Sequence, residues 1–455
     1  MKSNTPGTTS DDLFRSRLDQ MINLRHELVI LADRIDWRHL DNQLIPLYSS
    51  TGRPAISSRL MVGLHLLKQI HNLSDEAVCE RWVESPYYQY FCGEQFFQHH
   101  FPIERSSMTH WRKRVGEDFC IKLLQESLRI AFDSKAIQKR HLQRVIVDST
   151  VQSKAVTFPL DVKLRYRALI ALTQLSKQHG IPIRQSYLRV AKKALMMSGR
   201  YRHAKQMKRA RRVEKYIQVR LGRVLRDVRR QLRKPVFHSL RSLFAETIRK
   251  AWIAFRQERH SKIKLYSWHA PEVECIGKGK ADKPYEFGCK VSVTTNVNRA
   301  PGGHFVLHTG ALHGRPYDGH TLKGVLEEMT RITGIEPERA YVDRGYRGHD
   351  YPKKHRVFRS GQKRGIVGSI KKELRKRTIV EPIIGHLKSD GRMGRNYLKG
   401  ELGDKQNALM TAVGYNLRLL LKWFKNHFFG QKWRFFYKLF TEIFLLKYAE
   451  NKIAC

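Results

Sequence analysis

Acidic residues are scarce in this chain of 455 residues, where 41 Asp and Glu stand against 86 Lys and Arg and give a formal net charge of +45. So basic a surface repels itself unless an anion neutralises it. Nucleic acid is the usual partner, because Lys and Arg displace the counterions condensed on phosphates. A ribosome-like or merely solvated basic surface is the alternative. The basic residues are spread along the whole chain, which disfavours a membrane-surface role.

Cysteines and long apolar runs are also in short supply. The six Cys lie far apart with no Cys-x-x-Cys pair, which predicts reduced, mostly buried thiols in a cytosolic protein. The polar start, Met1 to Asp12, lacks the apolar segment of a signal peptide. No uninterrupted apolar stretch reaches the length of a bilayer span. We therefore expect a cytoplasmic, nucleoid-associated protein with no membrane partner.

The region 1–136 has the pattern of short helices joined by tight turns, and its last helix carries a basic polar face with Arg112 and Arg114. Such a pattern is typical of a helix-turn-helix DNA-binding domain. A structural helical bundle explains it equally well. The serines expected to begin these helices are Ser57 or Ser58, Ser74, and Ser106.

The region 137–425 has a different pattern, in which short apolar runs alternate with helices. Two of the apolar runs end in an acid, Val145–Asp148 and Ala340–Asp343, and a helix follows from about Ser369 to Lys388. The pattern predicts an α/β fold with a mixed sheet of about five strands flanked by helices. Further strands are predicted at Phe287–Thr295 and Phe305–Leu307, and further helices at Asp318–Ile332 and Asn407–Phe424.

A basic helical insertion, residues 163–262, interrupts this region. Its apolar residues recur every three or four positions and form one stripe. From Arg189 to Lys234 there are 18 Lys or Arg and only two acids. A helix with one apolar and one basic face can pack on the protein and offer its other side to phosphates. We therefore predict contacts with the DNA backbone, including Arg211 and Arg212; a solvated charged helix is the alternative.

Three carboxylates are the candidates for chemistry on DNA. Phosphodiester cleavage needs an activated nucleophile and stabilisation of the developing charge, and two divalent ions about 4 Å apart supply both. Asp148 and Asp343 each end a predicted strand, and Glu381 follows on the next helix. Arg377, one turn before Glu381, and Lys388, two turns after it, share its face and can bind phosphates. Each feature alone has a commoner explanation, as a cap or a surface salt bridge.

The residues around these acids suggest smaller roles. Arg344 follows Asp343 directly and could position the substrate. Asp318 precedes a helix and is interpreted as its cap. Pro382 directly follows Glu381, which predicts a kink in the helix at that point. A basic glycine-containing loop, Gly277–Pro284, could touch DNA or form a simple exposed turn.

Three motifs resemble those of a known family. Val-Ile-Val-Asp148-Ser-Thr, Tyr-Val-Asp343-Arg-Gly-Tyr-Arg-Gly and Arg377-x3-Glu381-x6-Lys388 are similar to the signature of bacterial insertion-sequence transposases of the DDE class. The nearest group is the one marked by a Tyr-x2-Arg-x3-Glu-x6-Lys motif. The chain departs from this motif at one position, where Leu374 replaces the Tyr.

The resemblance extends over roughly Ile45 to Phe424, because the segment from Gly52-Arg53-Pro54 to Arg114 is similar to the InsH-type N-terminal transposase domain. It implies a ribonuclease-H-like catalytic domain at 137–425. It also implies two Mg²⁺ ions, for which Mn²⁺ can substitute. Asp148 would bridge both ions, while Asp343 and Glu381 would each hold one.

The implied activity is excision and insertion of an insertion-sequence element by DNA cleavage and strand transfer. The implied partners are double-stranded DNA, as terminal inverted repeats and target, and further copies of the chain in a dimer or larger assembly. Two other functions stay open: a metal-dependent nuclease without strand transfer, and a non-catalytic or decayed DNA-binding protein. The aromatic-rich tail, 426–455, matches no feature of the family, and an amphipathic helix covering the core is its simplest interpretation.

Overall fold

The computed structural model divides into two compact units, which are described separately. Unit 1 comprises Met1–Gln152 and Lys290–Cys455, and unit 2 comprises Ser153–Cys289. The structure describes residues 16–49, 51, 55–277 and 284–426, and the backbone of the last helix as far as Ile453.

The N-terminal part of unit 1 is helical, as predicted. Ser57 and Ser74 precede two of the helices, and their hydroxyl groups accept hydrogen bonds from the backbone N–H of Leu60 and Ala77. These contacts satisfy N–H groups that the first turn of a helix leaves without a partner. The helices are α1 (Leu18–Met21), α2 (Glu27–Arg34), α3 (Trp37–Leu44), α4 (Ser58–Ile70), α5 (Asp75–Glu84), α6 (Pro86–Phe91), α7 (Ser106–Val115) and α8 (Asp118–Asp133).

Unit 2 contains the predicted insertion, and its helices pack through one apolar stripe. Ile217, Leu221, Val224 and Val228 are all buried on a single helix, because their spacing sets them on one face. The stripe and the helical character of the insertion are therefore confirmed. The helices are α9 (Asp161–Gln178), α10 (Leu188–His203), α11 (Met207–Gln231) and α12 (Arg241–Arg256).

Among the described residues, six strands form one mixed sheet. Within unit 1 the order is β4-β3-β1-β5-β6. β3 runs antiparallel to β4, whereas β5 runs parallel to both β1 and β6. β2 pairs with the start of β3 in unit 2. The strands are β1 (Arg144–Ser153), β2 (Glu274–Gly277), β3 (Tyr285–Asn296), β4 (Val306–Leu312), β5 (Arg339–Val342) and β6 (Val357–Arg359).

The first strand is longer than the sequence pattern indicated. The prediction that the strand ends at Asp148 was wrong, because β1 continues to Ser153. The neighbouring β3 explains the extra length. The N–H of Val297 donates to the carbonyl of Arg144, and the N–H of Lys154 donates to the carbonyl of Phe287. One of these bonds lies at each end of β1, so β3 runs antiparallel beside β1 along its whole length.

The helix predicted at Ser369–Lys388 is broken into two. A 3₁₀ turn at Lys376–Ile379 separates the two helices. The kink predicted at Glu381 is also wrong, because Pro382 lies in the first turn of the second helix, where its missing N–H has no helical partner to lose. The remaining helices of unit 1 are α13 (Leu322–Thr333), α14 (Gly368–Arg375), α15 (Val380–Ser389) and α16 (Gly400–Ile453).

We expect Gly414→Ala to destabilise unit 1. A Cβ at Gly414 of α16 would lie 2.8 Å from both the Cβ and the carbonyl oxygen of Gln69 in α4. The crowding should lower the free energy of unfolding by about 1–3 kcal/mol. Gly385→Ala is the matched control, since nothing lies within 4 Å of its added Cβ, and α15 should gain about 0.5–1 kcal/mol. Urea unfolding of both variants checks this; equal effects would contradict the close approach of the helices.

Some predictions fall outside the described residues. These are the basic residues Lys278, Lys280 and Lys283 of the Gly277–Pro284 loop, and the side chains of the tail 428–455. Within the part of the chain that the structure describes, none of the helices combines the length and the apolar character needed to cross a bilayer.

Candidate active site

The register of two parallel strands brings Asp148 and Asp343 together. β1 pairs with β5 so that Ile146 lies opposite Tyr341. The same register, continued by two positions, sets Asp148 beside Asp343, at the point where β5 has just ended. Because neighbouring strands lie about 4.8 Å apart, the two carboxylates share one place on the sheet.

The Asp148 carboxylate is 16% exposed and has two hydrogen-bond donors. The backbone N–H of Ser149 donates to Oδ1 at 2.8 Å, and Nη1 of Arg377 donates to Oδ2 at 3.1 Å. Burial raises the pKa of Asp148 to about 6, and the Asp343 and Asp318 carboxylates add to the rise, while the Ser149 N–H and Arg377 oppose it. Burial and the neighbouring acids therefore disfavour the ionised form of Asp148 in this protein.

The Asp343 carboxylate is oriented by the turn that follows β5. Its Oδ1 accepts a hydrogen bond of 2.8 Å from the backbone N–H of Gly345. A Cβ at position 345 would lie 3.0 Å from this same oxygen. Because Gly345 has no Cβ, the Asp343 carboxylate can occupy this space.

Arg377 connects Asp148 to Glu381. Its Nη2 lies 3.7 Å from Oε1 of Glu381, while its Nη1 contacts Asp148. Arg377 is 15% exposed, whereas Glu381 is 63% exposed. Glu381 thus lies on the solvent side of Asp148, and its side chain can change rotamer without disturbing the core.

A buried acid that the sequence analysis did not single out supports both strands. Glu373 of α14 is 5% exposed and accepts hydrogen bonds from Arg144, Arg339 and the Tyr341 hydroxyl. Arg144 and Arg339 are register partners on β1 and β5. Glu373 therefore joins the two strands that carry the candidate acids. Its neighbours in the sequence, Lys371, Lys372 and Arg375, are charged, so the local pattern gives no sign that Glu373 is buried.

Asp318 has a different role from the cap that was predicted. Helix α13 begins at Leu322, with Thr321 as its N-cap residue. The Asp318 carboxylate instead forms an ion pair with Nζ of Lys290, at 3.0 Å. Lys290 lies on β3, so no local sequence pattern could have revealed the pair.

Two further cations predicted to bind DNA lie near the candidate site in the sequence. Arg344 is exposed, and its guanidinium packs against Gly361, where an added Cβ would lie 2.9 Å from Nε. Lys388 is half-buried on α15. Phosphate contacts by Arg344 and Lys388 stay predictions.

The basic residues of α7 differ in how they are placed. Arg112 is 12% exposed, and its guanidinium donates to both oxygens of Asp75 at 3.0 and 2.6 Å. Arg112 therefore neutralises an acid inside the protein, and its guanidinium is not turned to solvent. Arg114 is exposed, with its guanidinium 4.9 Å from the Tyr48 ring. DNA contact by α7 stays a prediction, and Arg114 is the better placed of the two.

The insertion presents its cations to solvent. Arg211 and Arg212 are both exposed on α11. The two acids of the basic stretch already have partners: Glu214 pairs with Arg202, and Asp227 pairs with Arg230. The excess of positive charge on α10 and α11 is therefore not balanced within that stretch.

We expect Asp148→Asn to stabilise the metal-free protein at neutral pH. The folded protein holds the Asp148 proton with a pKa of about 6, against an ordinary value of 3.8. Stability is therefore lost as pH rises through this window, by up to about 3 kcal/mol. Urea unfolding in EDTA, from about pH 4 to about pH 8, should show the stability of the variant rising relative to wild type as pH increases. Parallel curves would contradict the shift.

Similarity to known proteins indicates the class to which this protein belongs. A family model described as Transposase domain (DUF772) matches residues 16–114. The chain is also 49% identical over 206 residues to "Uncharacterized protein ORF8 in nfe locus" of Rhizobium meliloti; the alignment covers 45% of this chain and 100% of that protein. The chain belongs to the same family as this rhizobial protein, a transposase-related family. No solved structure matches the chain.

Proposed function

We propose that this protein is a DNA transposase of the DDE class that uses Asp148, Asp343 and Glu381. The observation that carries the proposal is the shared register of β1 and β5, which sets two carboxylates from distant parts of the chain side by side. Arg377 links the third acid to them. The transposase domain at residues 16–114 supports this assignment independently of the acids.

The sheet supports a ribonuclease-H-like core. Its order within unit 1 is β4-β3-β1-β5-β6, with β1, β5 and β6 parallel and β3 antiparallel to β4. This arrangement agrees with the fold that the resemblance implies. Two of the candidate acids lie at the parallel pair of β1 and β5: Asp148 is on β1, and Asp343 comes directly after β5.

The residues of the site suit Mg²⁺ or Mn²⁺. Asp148, Asp343 and Glu381 offer only hard oxygen donors, which these cations prefer. The raised pKa of Asp148 indicates an anion that would gain from a nearby cation. Bound there, two divalent ions would supply an activated water and neutralise the charge that develops on the phosphate.

The surrounding residues would bind and position DNA. Arg377, between Asp148 and Glu381, is placed to hold a scissile phosphate beside the acids through its planar guanidinium. The exposed cations of α11, with Arg211 and Arg212, would bind the backbone without reading sequence. Cleavage would leave a 3′-hydroxyl that attacks target DNA at the same acids. Because two element ends must be joined, we propose a dimer or larger assembly on DNA.

The test uses the full chain and DNA that carries the inverted repeats bounding its gene, with flanking sequence. With Mg²⁺ we expect cleavage at the repeat ends, 3′-hydroxyl products and joining to a second DNA. Asp148→Asn and Glu381→Gln should bind the same DNA without cutting it. If these variants cut as fast as wild type, the proposed site is wrong. Cleavage without joined products would instead favour a nuclease, and binding without cleavage by wild type a non-catalytic protein.

A further inference from the structure

A fourth acid converges on the candidate site. Asp318 begins a 3₁₀ turn, Asp318–His320, between β4 and α13. Gly345 shows how close this acid comes to Asp343: a Cβ built on Gly345 would lie 3.3 Å from Oδ2 of Asp318 and 3.0 Å from Oδ1 of Asp343. Two carboxylates from separate turns therefore approach a single point.

The charges of this region do not balance. Asp148, Asp343, Asp318 and Glu381 bring four negative charges. The cations paired with them are Lys290, 3.0 Å from Oδ1 of Asp318, and Arg377, in contact with Asp148 and Glu381. Among the described residues, these pairings leave two of the four negative charges without a cation. Because partly buried charge is costly unless compensated, the acids favour the binding of a divalent cation.

A buried hydroxyl points to a polar ligand at the same place. Tyr346 is fully buried, and its Oη has no hydrogen-bond partner among the described residues. Burial raises the pKa of this hydroxyl, and the charges of Asp318, Asp148 and Asp343 add to the rise, so the hydroxyl lies within electrostatic range of the acids. A buried hydroxyl without a partner destabilises the folded protein, because it has lost its hydrogen bonds to water. A water molecule of a hydrated cation would satisfy it.

We propose that Asp318 is a further carboxylate ligand for the divalent cation held by Asp343, and that Lys290 orients it. Lys290 contacts Oδ1 of Asp318 and leaves Oδ2 on the side of Asp343. This role rests on the proposed function, because it assumes that Asp148 and Asp343 hold a metal ion. It adds a residue that lies outside the three motifs of the sequence.

The experiment measures Mn²⁺ binding to the full-length protein without DNA, by the loss of the free-ion signal in electron paramagnetic resonance. We expect Asp318→Asn to weaken the binding about tenfold or more. The matched control is Asp350→Asn. Asp350 is an exposed acid whose Oδ1 accepts from the backbone N–H of Lys323, a contact that Asn can keep. Far-ultraviolet circular dichroism confirms that each variant is folded.

A second measurement separates this role from a structural one. Asp318→Asn should raise the Mg²⁺ concentration for half-maximal cleavage about tenfold, with cleavage restored at high Mg²⁺, whereas Asp148→Asn should not be restored. Unchanged Mn²⁺ affinity in Asp318→Asn, beside a loss in Asp148→Asn, would overturn the role of Asp318 and leave the proposed function standing. Unchanged affinity in both variants would overturn both.

Discussion

Asp343→Asn should slow Mg²⁺-dependent DNA cleavage by about 10³-fold or more, because it removes charge stabilisation worth several kcal/mol at the reacting phosphate. The amide keeps the shape of the carboxylate and can still accept the hydrogen bond from Gly345. DNA affinity should therefore be retained. Single-turnover cleavage and gel-shift binding measure the two quantities separately.

Asp350→Asn provides the control for this prediction. It makes the same chemical change on an exposed acid seven positions further along the chain. Its cleavage rate should stay within about twofold of wild type, since surface substitutions cost little. If Asp343→Asn and Asp350→Asn cleave DNA at the same rate, the place where β1 pairs with β5 is not the active site.

Asp75→Asn should lower the free energy of unfolding by about 3–5 kcal/mol at neutral pH, because it leaves two buried cations without a counter-ion. Nζ of Lys68 lies 2.5 Å from Asp75, and Arg112 binds both of its oxygens. Lys68 is 10% exposed and Arg112 is 12% exposed, so water cannot take over from the lost carboxylate. Urea unfolding at neutral pH measures the loss.

The pH dependence of the same variant gives a second check. Burial alone would raise the pKa of Asp75, but Lys68 and Arg112 outweigh it and hold the pKa well below its ordinary value of 3.8. The stability that Asp75 provides is therefore present above that value and is lost as pH falls below it. Wild type should lose more stability in acid than the variant. Glu76→Gln, on the exposed side of the same helix, should change stability by only about 0.5 kcal/mol.

Much of the candidate site could be predicted from the sequence, because its elements are local. Val-Ile-Val before Asp148 and Tyr-Val before Asp343 are short apolar runs, and such runs predict buried strands. Both strands are present. The helical N-terminal part and the apolar stripe of α11 were predictable for the same reason, since periodicity within one element indicates its buried face.

The remaining features depend on contacts between distant segments. The length of β1 follows from pairing with β3, and the ion pair of Lys290 with Asp318 joins two elements that the sequence presents as unrelated. Glu373 lies in a charged stretch, so its burial against two arginines has no local signal. The break between α14 and α15 was also hidden, because the apolar spacing continues across it.

The boundary between the two units falls inside β1 and inside β3, at Gln152/Ser153 and Cys289/Lys290. These strands are antiparallel neighbours, so the chain departs and returns at adjacent positions, as it would in an ordinary hairpin. The basic helices thus occupy the place of a hairpin loop. A lineage could acquire, enlarge or exchange this segment while the strands that carry the acids keep their pairing, so the proposed DNA-contacting helices could change in evolution independently of the proposed active site.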